Sequence, residues 1–313
     1  MARVRVSTRR RFLRTVFTTA AASVAIPTIS QSVLSGRVPR ARAAELADGE
    51  RAGRLMKLSF MTFVCPEWTL ERLVKFAKDA HYDGVEIRVD EGHKHGISSA
   101  CSAETRQAAK KLFRDEGVEV AAIATSVQFA APEVETHKRN LEAAKANLDL
   151  AAALGAPVVR IFAGGGIAAL TAEAAEQVAA AFNEVGEYAK ASGVCPILEC
   201  GHDIMKGRAE AVEVIRRVQT TNFGVLWNDS TIDDATLADL KHRLRHFHVH
   251  DEVLDTSNAN ILGLAKQMKS VGFRGYVSLE IIHGENLPED LLREVAERLN
   301  RQIAQAFEEP SGQ

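Results

Sequence analysis

Residues 244–251 read L-R-H-F-H-V-H-D and set His246, His248 and His250 at every second position. A β-strand repeats every two residues, so the three imidazoles share one face while Phe247 and Val249 share the other. Two more runs end in a carboxylate. In 194–200, Cys195, Ile197 and Glu199 oppose Pro196, Leu198 and Cys200; in 275–282, Tyr276, Ser278 and Glu280 oppose Val277, Leu279 and Ile281. Glu199, Glu280 and His248 make an oxygen-rich donor set with one imidazole. Such a set favours Mn²⁺, Co²⁺ or Mg²⁺ over a thiolate-type zinc site, with Zn²⁺ still possible. Burying carboxylates together is costly unless a cation or a proton compensates them.

These side chains need elements that bring them to one place. After residue 54 the chain alternates short apolar runs with amphipathic stretches. Strands are expected at 58–64, 84–89, 119–125, 157–163, 194–200, 222–228, 244–250 and 275–282. Helices are expected at 70–80, 103–116, 137–154, 172–192, 208–218, 235–243, 261–271 and 287–308. Alternation of this kind indicates a parallel α/β fold, and eight units in about 250 residues fit a single (β/α)8 TIM barrel. No G-x-G-x-x-G follows the first strand, against a doubly wound dinucleotide fold. The helix-covered outside of a barrel is apolar, so the charged parity faces inward. That rule also turns Glu86 and Arg88 inward on strand 2, and Arg160 and Phe162 on strand 4. Glu86 with Arg88 also reads as a structural ion pair. On strand 6, F-G-V-L-W-N-D-S-T (223–231), parity turns Asn228 inward and leaves Asp229 one step off register. Asn228 is the favoured fourth ligand, with Asp229 the alternative should the strand end bend.

The 313 residues are 46% hydrophobic and 26% charged, with a formal net charge of −2, which argues against a nucleic-acid surface. Four cysteines without a C-x-x-C pair give neither a disulfide framework nor a zinc ribbon. Residues 7–14, S-T-R-R-R-F-L-R, precede a mild apolar run at 15–29 that contains no acid and is too weak for a membrane span. Arg9 and Arg10, followed by Phe12 and Leu13, resemble a twin-arginine export signal, with a small-x-small cleavage point at Ala41-Arg42-Ala43. Residues 1–50 are thus expected to be a leader and linker read by the twin-arginine machinery, and 55–308 a barrel that works in the periplasm or otherwise outside the cytoplasm.

Six segments together, Y-D-G-V-E-I-R (82–88), V-V-R-I-F-A-G (158–164), I-L-E-C (197–200), F-G-V-L-W-N (223–228), H-F-H-V-H-D (246–251) and G-Y-V-S-L-E (275–280), resemble the sugar phosphate isomerase/epimerase family of xylose isomerase-like TIM barrels. The resemblance spans roughly 56–305. It implies a divalent metal held by Glu199, Asn228, His248 and Glu280, with Asn228 standing where the family typically carries Asp. It implies acid/base roles for Glu199 and Glu280 in moving a proton α to a carbonyl through an enediolate of a carbohydrate-like substrate. Glu86, Arg160, His202, His250 and Trp68 become candidate substrate contacts, Trp68 as an aromatic wall or a packing residue. His246, deeper on its strand, reads as a core histidine. His202 is displaced from the family's usual histidine, and His250 stands where relatives often carry lysine. The loop 163–166, A-G-G-G, suits close substrate passage or loop flexibility better than a phosphate cradle. An exported enzyme points to a free sugar, keto-sugar or glycoside-derived substrate. The same site with a β-leaving group would act as a lyase or dehydratase; the contrasting class is a non-catalytic sugar-binding barrel with a degenerate metal site. An abasic-site endonuclease is disfavoured by the charge and the histidine pattern.

Overall fold

The computed structural model of the chain describes residues 55–255, 260–282 and 287–308. The leader expected at 1–50, with its paired arginines, lies outside the described residues. Strands β1 (Met56–Met61), β2 (Gly84–Arg88), β3 (Glu119–Gln128), β4 (Val158–Phe162), β5 (Cys195–Cys200), β6 (Gly224–Trp227), β7 (Leu244–Val249) and β8 (Gly275–Leu279) pair in chain order into a closed barrel. Every pairing is parallel, including β8 back onto β1. Helices α1 (Leu70–Asp79), α2 (Ala103–Glu116), α3 (Val134–Leu154), α4 (Ala172–Ala189), α5 (Arg208–Ile215), α6 (Asp234–Leu240), α7 (Leu262–Ser270) and α8 (Glu289–Glu308) follow their strands. The expected (β/α)8 architecture is present.

Local chemistry starts these helices where the sequence places a capping side chain. Thr69, Ser102, Thr171 and Asp233 each accept a backbone N–H from the first turn of the helix they precede. The strand ends are where expectation and structure part. The first strand stops at Met61 rather than 64, because the chain turns into a 3₁₀ segment, Thr62–Val64. Thr62 Oγ1 accepts the Arg88 N–H at 3.0 Å, and Thr62 O accepts the Cys65 N–H at 3.2 Å, which together fold the chain end over β2. The third strand runs on to Gln128 through a register shift against β4. The third helix begins at Val134 and α5 ends at Ile215, each departing from expectation by about a turn.

Parity sets the core. Phe60, Val85, Ile87, Ile123, Val159, Ile161, Leu198, Val225, Phe247, Val249, Val277 and Leu279 are buried between strands and helices. Inside the barrel the apolar filling is a small separate cluster of Ala122, Val158, Ile197 and Leu226. Charged and polar side chains, among them Glu86, Arg160, Glu199, His246 and His248, are buried on the same inward parity. Phe247 is wholly buried on the outer seam, its ring edge-on to Phe273 at 5.3 Å between centroids. Phe247→Ala is expected to lower unfolding stability by about 3–5 kcal/mol, measured by urea titration. A loss below about 1 kcal/mol would place the stabilising contacts elsewhere.

Candidate metal centre at the barrel mouth

Glu199 sits near the end of β5, His248 near the end of β7, and Asn228 and Glu280 directly follow β6 and β8. Their side chains converge on one atom. His248 Nδ1 lies 3.0 Å from Glu280 Oε2, 3.2 Å from Asn228 Oδ1 and 3.3 Å from Glu199 Oε1. One ring nitrogen carries at most one hydrogen, so it cannot serve three oxygen acceptors. Two carboxylates, an amide oxygen and an imidazole nitrogen at such spacing suit a divalent cation bound at about 2.0–2.2 Å from each. Glu199, His248 and Glu280 are all buried, with their ligand atoms mutually within 4.8 Å. Asp229 is not in this group. Its Oδ1 accepts from Thr231 N–H and Thr231 Oγ1, each at 2.8 Å, in a local turn. Gly201 lets Asn228 approach: its φ is +114°, and a Cβ there would lie 3.3 Å from Asn228 Cβ.

The other face of His248 explains its orientation. His248 Nε2 lies 3.2 Å from both Glu86 carboxylate oxygens, and His246 Nε2 lies 2.9 Å from Glu86 Oε2. A carboxylate cannot donate, so both imidazoles donate from Nε2, which leaves Nδ1 of His248 to face the three oxygens. Glu86, His246 and His248 are completely buried. This corrects two sequence expectations. Glu86 lies beneath the ligands, out of a sugar's reach, and orients His248. Nor does it pair with Arg88, which runs along the loop instead. There Arg88 meets Glu91 Oε1 at 2.6 Å, Ser126 Oγ at 2.5 Å, Ala124 O at 3.1 Å and the Val89 carbonyl.

Arg160 is only 1% exposed, and its Nε lies 3.2 Å from Glu199 Oε2. Its guanidinium rests on the Phe162 ring, 4.0 Å from the centroid. It therefore acts on a carboxylate rather than on substrate hydroxyls. His202 Nε2 lies 3.2 Å from Glu199 Oε1, and its ring meets Phe162 edge-on at 5.5 Å. His250 Nδ1 donates to the Glu280 carbonyl at 2.9 Å. His202 and His250 are both partly exposed and remain at the mouth. Trp68 does not: it is buried against Phe76 at 5.0 Å, beneath the Arg72 guanidinium, as a packing residue. Parity already turned Phe162 inward, but its place under Arg160 needed the register of β4 on β5 to appear. Phe63 lies beyond the end of β1, edge-on to His93 at 5.9 Å. Two of the three glycines after β4 have a packing reason, since a Cβ on Gly164 or Gly165 would run into Asp203 Oδ2 or Ala130 O, at 2.2 and 2.3 Å, while Gly166 takes a left-handed φ of +80°.

Burial alone would raise the acids and lower the histidines here. The charges reverse both tendencies. Against burial, Arg160, then His202 and His248, hold the Glu199 carboxyl well below the usual carboxylate range. His248 and His246 do the same for Glu86. Glu280 and Glu86 in turn hold His248 well above the usual imidazole range, so a proton and a divalent cation compete for Nδ1. His95, which touches Arg88, His93 and Ile97, behaves oppositely. Its Nδ1 accepts from Ile97 N–H at 3.1 Å, so Nε2 donates to Arg88 O at 3.2 Å. Burial first, then His93, pulls it down from 6.5 to about 4, against the opposing Arg88 carbonyl bond. A depressed imidazole favours the neutral folded form, so its stabilisation is complete above about pH 6.5 and is lost as pH falls toward 4. The stability gap between the parent and His95→Asn is expected to narrow by about 3 kcal/mol over that span, read from denaturant midpoints. A constant gap would contradict the buried neutral ring.

Among the described residues, no helix is long and apolar enough to cross a membrane. A family model described as xylose isomerase-like TIM barrel matches residues 74–302. No curated protein matches the chain in sequence. A structure of L-ribulose 3-epimerase superposes with a TM-score of 0.66 at 17% identity, covering 80% of this chain and 96% of that one. The IolI protein with a bound zinc atom gives 0.66 at 17%, covering 81% and 100%. The apo form of 3-keto-D-glucoside 4-epimerase from E. coli gives 0.62 at 15%, covering 80% and 99%. At these identities the likeness is one of fold.

Proposed function

The chain belongs to the xylose isomerase-like TIM barrel family, and from that premise we propose that it is a metal-dependent isomerase or epimerase of a carbohydrate-like substrate. The convergence of Glu199, Asn228 and Glu280 on His248 Nδ1 carries this reading. The epimerase names of two solved structures of like fold support the substrate class. A divalent ion held by these four residues, Mn²⁺, Co²⁺ or Mg²⁺ with Zn²⁺ as a further possibility, would polarise a substrate carbonyl and its neighbouring hydroxyl.

The chain's own residues divide the remaining work. Glu199 and Glu280 reach His248 from opposite sides of the β6–β7 pair, so a sugar bound over the centre has a carboxylate on each flank. Arg160 and His202 pin both oxygens of Glu199. Among the described residues no guanidinium sits within ion-pair distance of Glu280, which makes it the freer group to take a proton α to a carbonyl, with Glu199 returning it on the other face. His202 and His250, partly exposed, are placed for substrate hydroxyls. The same arrangement serves elimination when the substrate carries a β-leaving group.

Asn228 favours a second reading, a sugar-binding barrel with weakened metal chemistry, because an amide contributes no charge to the shell. Asn228→Asp is expected to tighten Co²⁺ binding by roughly tenfold or more, in competition with a chelating dye. Equal affinities would remove Asn228 from the shell. Incubating the metal-loaded protein with ketopentoses and ketohexoses in D₂O separates the classes. Deuterium on the carbon next to the carbonyl supports the isomerase or epimerase, and loss of a β-substituent indicates the lyase. Binding without exchange would establish the non-catalytic barrel. We further propose that residues 1–50 direct twin-arginine export and that 55–308 work outside the cytoplasm.

A further inference from the structure

Among the described residues, three that are not glycine hold a left-handed φ: His81, Asp90 and Asp203. His81 lies on the far face of the barrel, between α1 and β2. Asp90 has a local reason, since its Oδ2 accepts the Ser126 N–H at 3.1 Å. Asp203 is at the mouth. It follows His202 in a tight turn after β5, closed by Met205 N–H on His202 O at 2.9 Å and by Gly201 N–H on Met205 O at 2.8 Å. Its φ is +50°, which a short polar residue tolerates better than others, so the turn allows Asp there without requiring it. Ile204 and Met205 are buried and anchor the turn, while Asp203 is exposed. Among the described residues no hydrogen bond or ion pair engages its carboxylate. The carboxylate nevertheless has a defined seat. A Cβ on Gly164 would lie 2.2 Å from Asp203 Oδ2 and 3.7 Å from Gln128 Nε2. Gly164 comes two residues after Phe162, which pairs in register with Gln128 and meets the His202 ring edge-on. The Asp203 carboxylate therefore stands where a side chain of residue 164 would stand, just beyond the end of β4, with the Gln128 amide near it.

We propose that Asp203 is a specificity-determining residue, whose carboxylate accepts hydroxyl groups of an uncharged sugar at the mouth and disfavours a substrate that carries a phosphate or carboxylate there. The group selects the ligand. An ionised carboxylate only accepts, and its two oxygens suit two neighbouring hydroxyls; the Gln128 amide adds N–H donors for a further sugar oxygen. A site with such an acceptor favours the ligand that can donate to it and rejects one that cannot. An anionic group in the same place meets a like charge instead. The carboxylate is seated over Gly164 before a sugar arrives, which lowers the ordering cost of binding. Gly164 thereby has a second use, as the residue that leaves this seat open. This proposal deepens the carbohydrate reading given above and rests on it for the presence of a sugar. The seat of Asp203 does not rest on the metal.

The test is equilibrium binding, by ligand-observed NMR, of D-fructose, D-tagatose and their 6-phosphates to the full chain, metal-free and loaded with Mg²⁺. Asp203→Gly and Gly164→Ala are measured beside the parent. The parent is expected to bind at least one free sugar about tenfold or more tightly than its phosphate. Asp203→Gly should bind that sugar about tenfold more weakly, the scale of one hydrogen bond to a charged group, and lose the preference. Its melting temperature should stay close to the parent's, because relief of the left-handed φ offsets the added chain entropy. Gly164→Ala displaces the carboxylate and should show the same loss, and combining the two changes should add little. Asp203→Gly with parental affinity and preference would overturn the proposal and leave Asp203 a turn residue only. A parent that prefers the phosphates would overturn it too. A parent that binds none of the four compounds would overturn it together with the carbohydrate reading. Stoichiometric divalent binding with parental sugar affinity in Asp203→Gly sinks this proposal and leaves the metal centre. A preference that depends on Asp203 in a chain that binds no divalent ion sinks the metal centre and leaves this proposal.

Discussion

Glu280→Gln is expected to slow exchange of the substrate's carbon-bound proton by about 10²–10⁴-fold, the range a positioned acid or base contributes. The change is nearly isosteric. The Glu280 carbonyl still accepts from His250 and its backbone N–H still donates to Val249 O, so the end of β8 keeps its anchors. What disappears is a carboxylate oxygen 3.0 Å from His248 Nδ1 and the basicity to take a proton. Glu199→Gln should also slow exchange, and it leaves Arg160 without its buried counter-charge, so a stability loss accompanies it. That difference separates the two carboxylates. Exchange rates from deuterium uptake and thermal midpoints measured on both variants check it. Undiminished exchange in Glu280→Gln would remove Glu280 from the chemistry.

The second large effect is expected at a residue that no substrate touches. Glu86→Ala leaves the Nε2 groups of His246 and His248 unpartnered in a fully buried place. Breaking one side of a buried charged network costs about 3–5 kcal/mol of stability. Loss of the partner behind a metal-ligating histidine costs a further 10–100-fold or so in metal affinity. Glu86→Gln should fall between, because its amide oxygen accepts from one imidazole while its NH₂ confronts the other. Denaturant unfolding and dye-competition affinity would measure the two effects separately. An Ala variant with parental metal affinity would show that Glu86 does not orient His248.

Much of this centre was legible as alternation. The period of two in H-F-H-V-H, I-L-E-C and V-S-L-E was enough to turn His248, Glu199 and Glu280 to the inside of a barrel, and the same parity turned Asn228 inward and left Asp229 out. The D-S-T run that keeps Asp229 occupied is itself a turn signal, since an Asp side chain readily accepts from the backbone two residues on. Depth was not legible. Parity gave Glu86 and Arg88 the same face and could not show that one reaches down to two histidines 160 and 162 residues away while the other runs along the mouth. Nor could it show that Arg160 meets Glu199, since that contact depends on β4 lying in register beside β5. Trp68 follows a strand that ends at Met61, three residues before the apolar run suggests. Once the chain turns at Thr62, the indole falls among Phe76 and Arg72 on the helix layer. Strand ends, set by side-chain hydrogen bonds such as Thr62 to Arg88, were the least readable feature and are also where the chemistry sits.

On the proposed reading, Glu199, Asn228, His248 and Glu280 hold a single divalent ion with His248 Nδ1 as its nitrogen ligand. Titration of the purified, metal-free protein with Co²⁺, followed by visible absorption and by elemental analysis, tests it most directly when run beside His248→Gln. One ion per chain, lost or weakened at least about tenfold in the variant, is the predicted result. No bound ion in the parent, or the same stoichiometry and affinity in His248→Gln, would contradict the account.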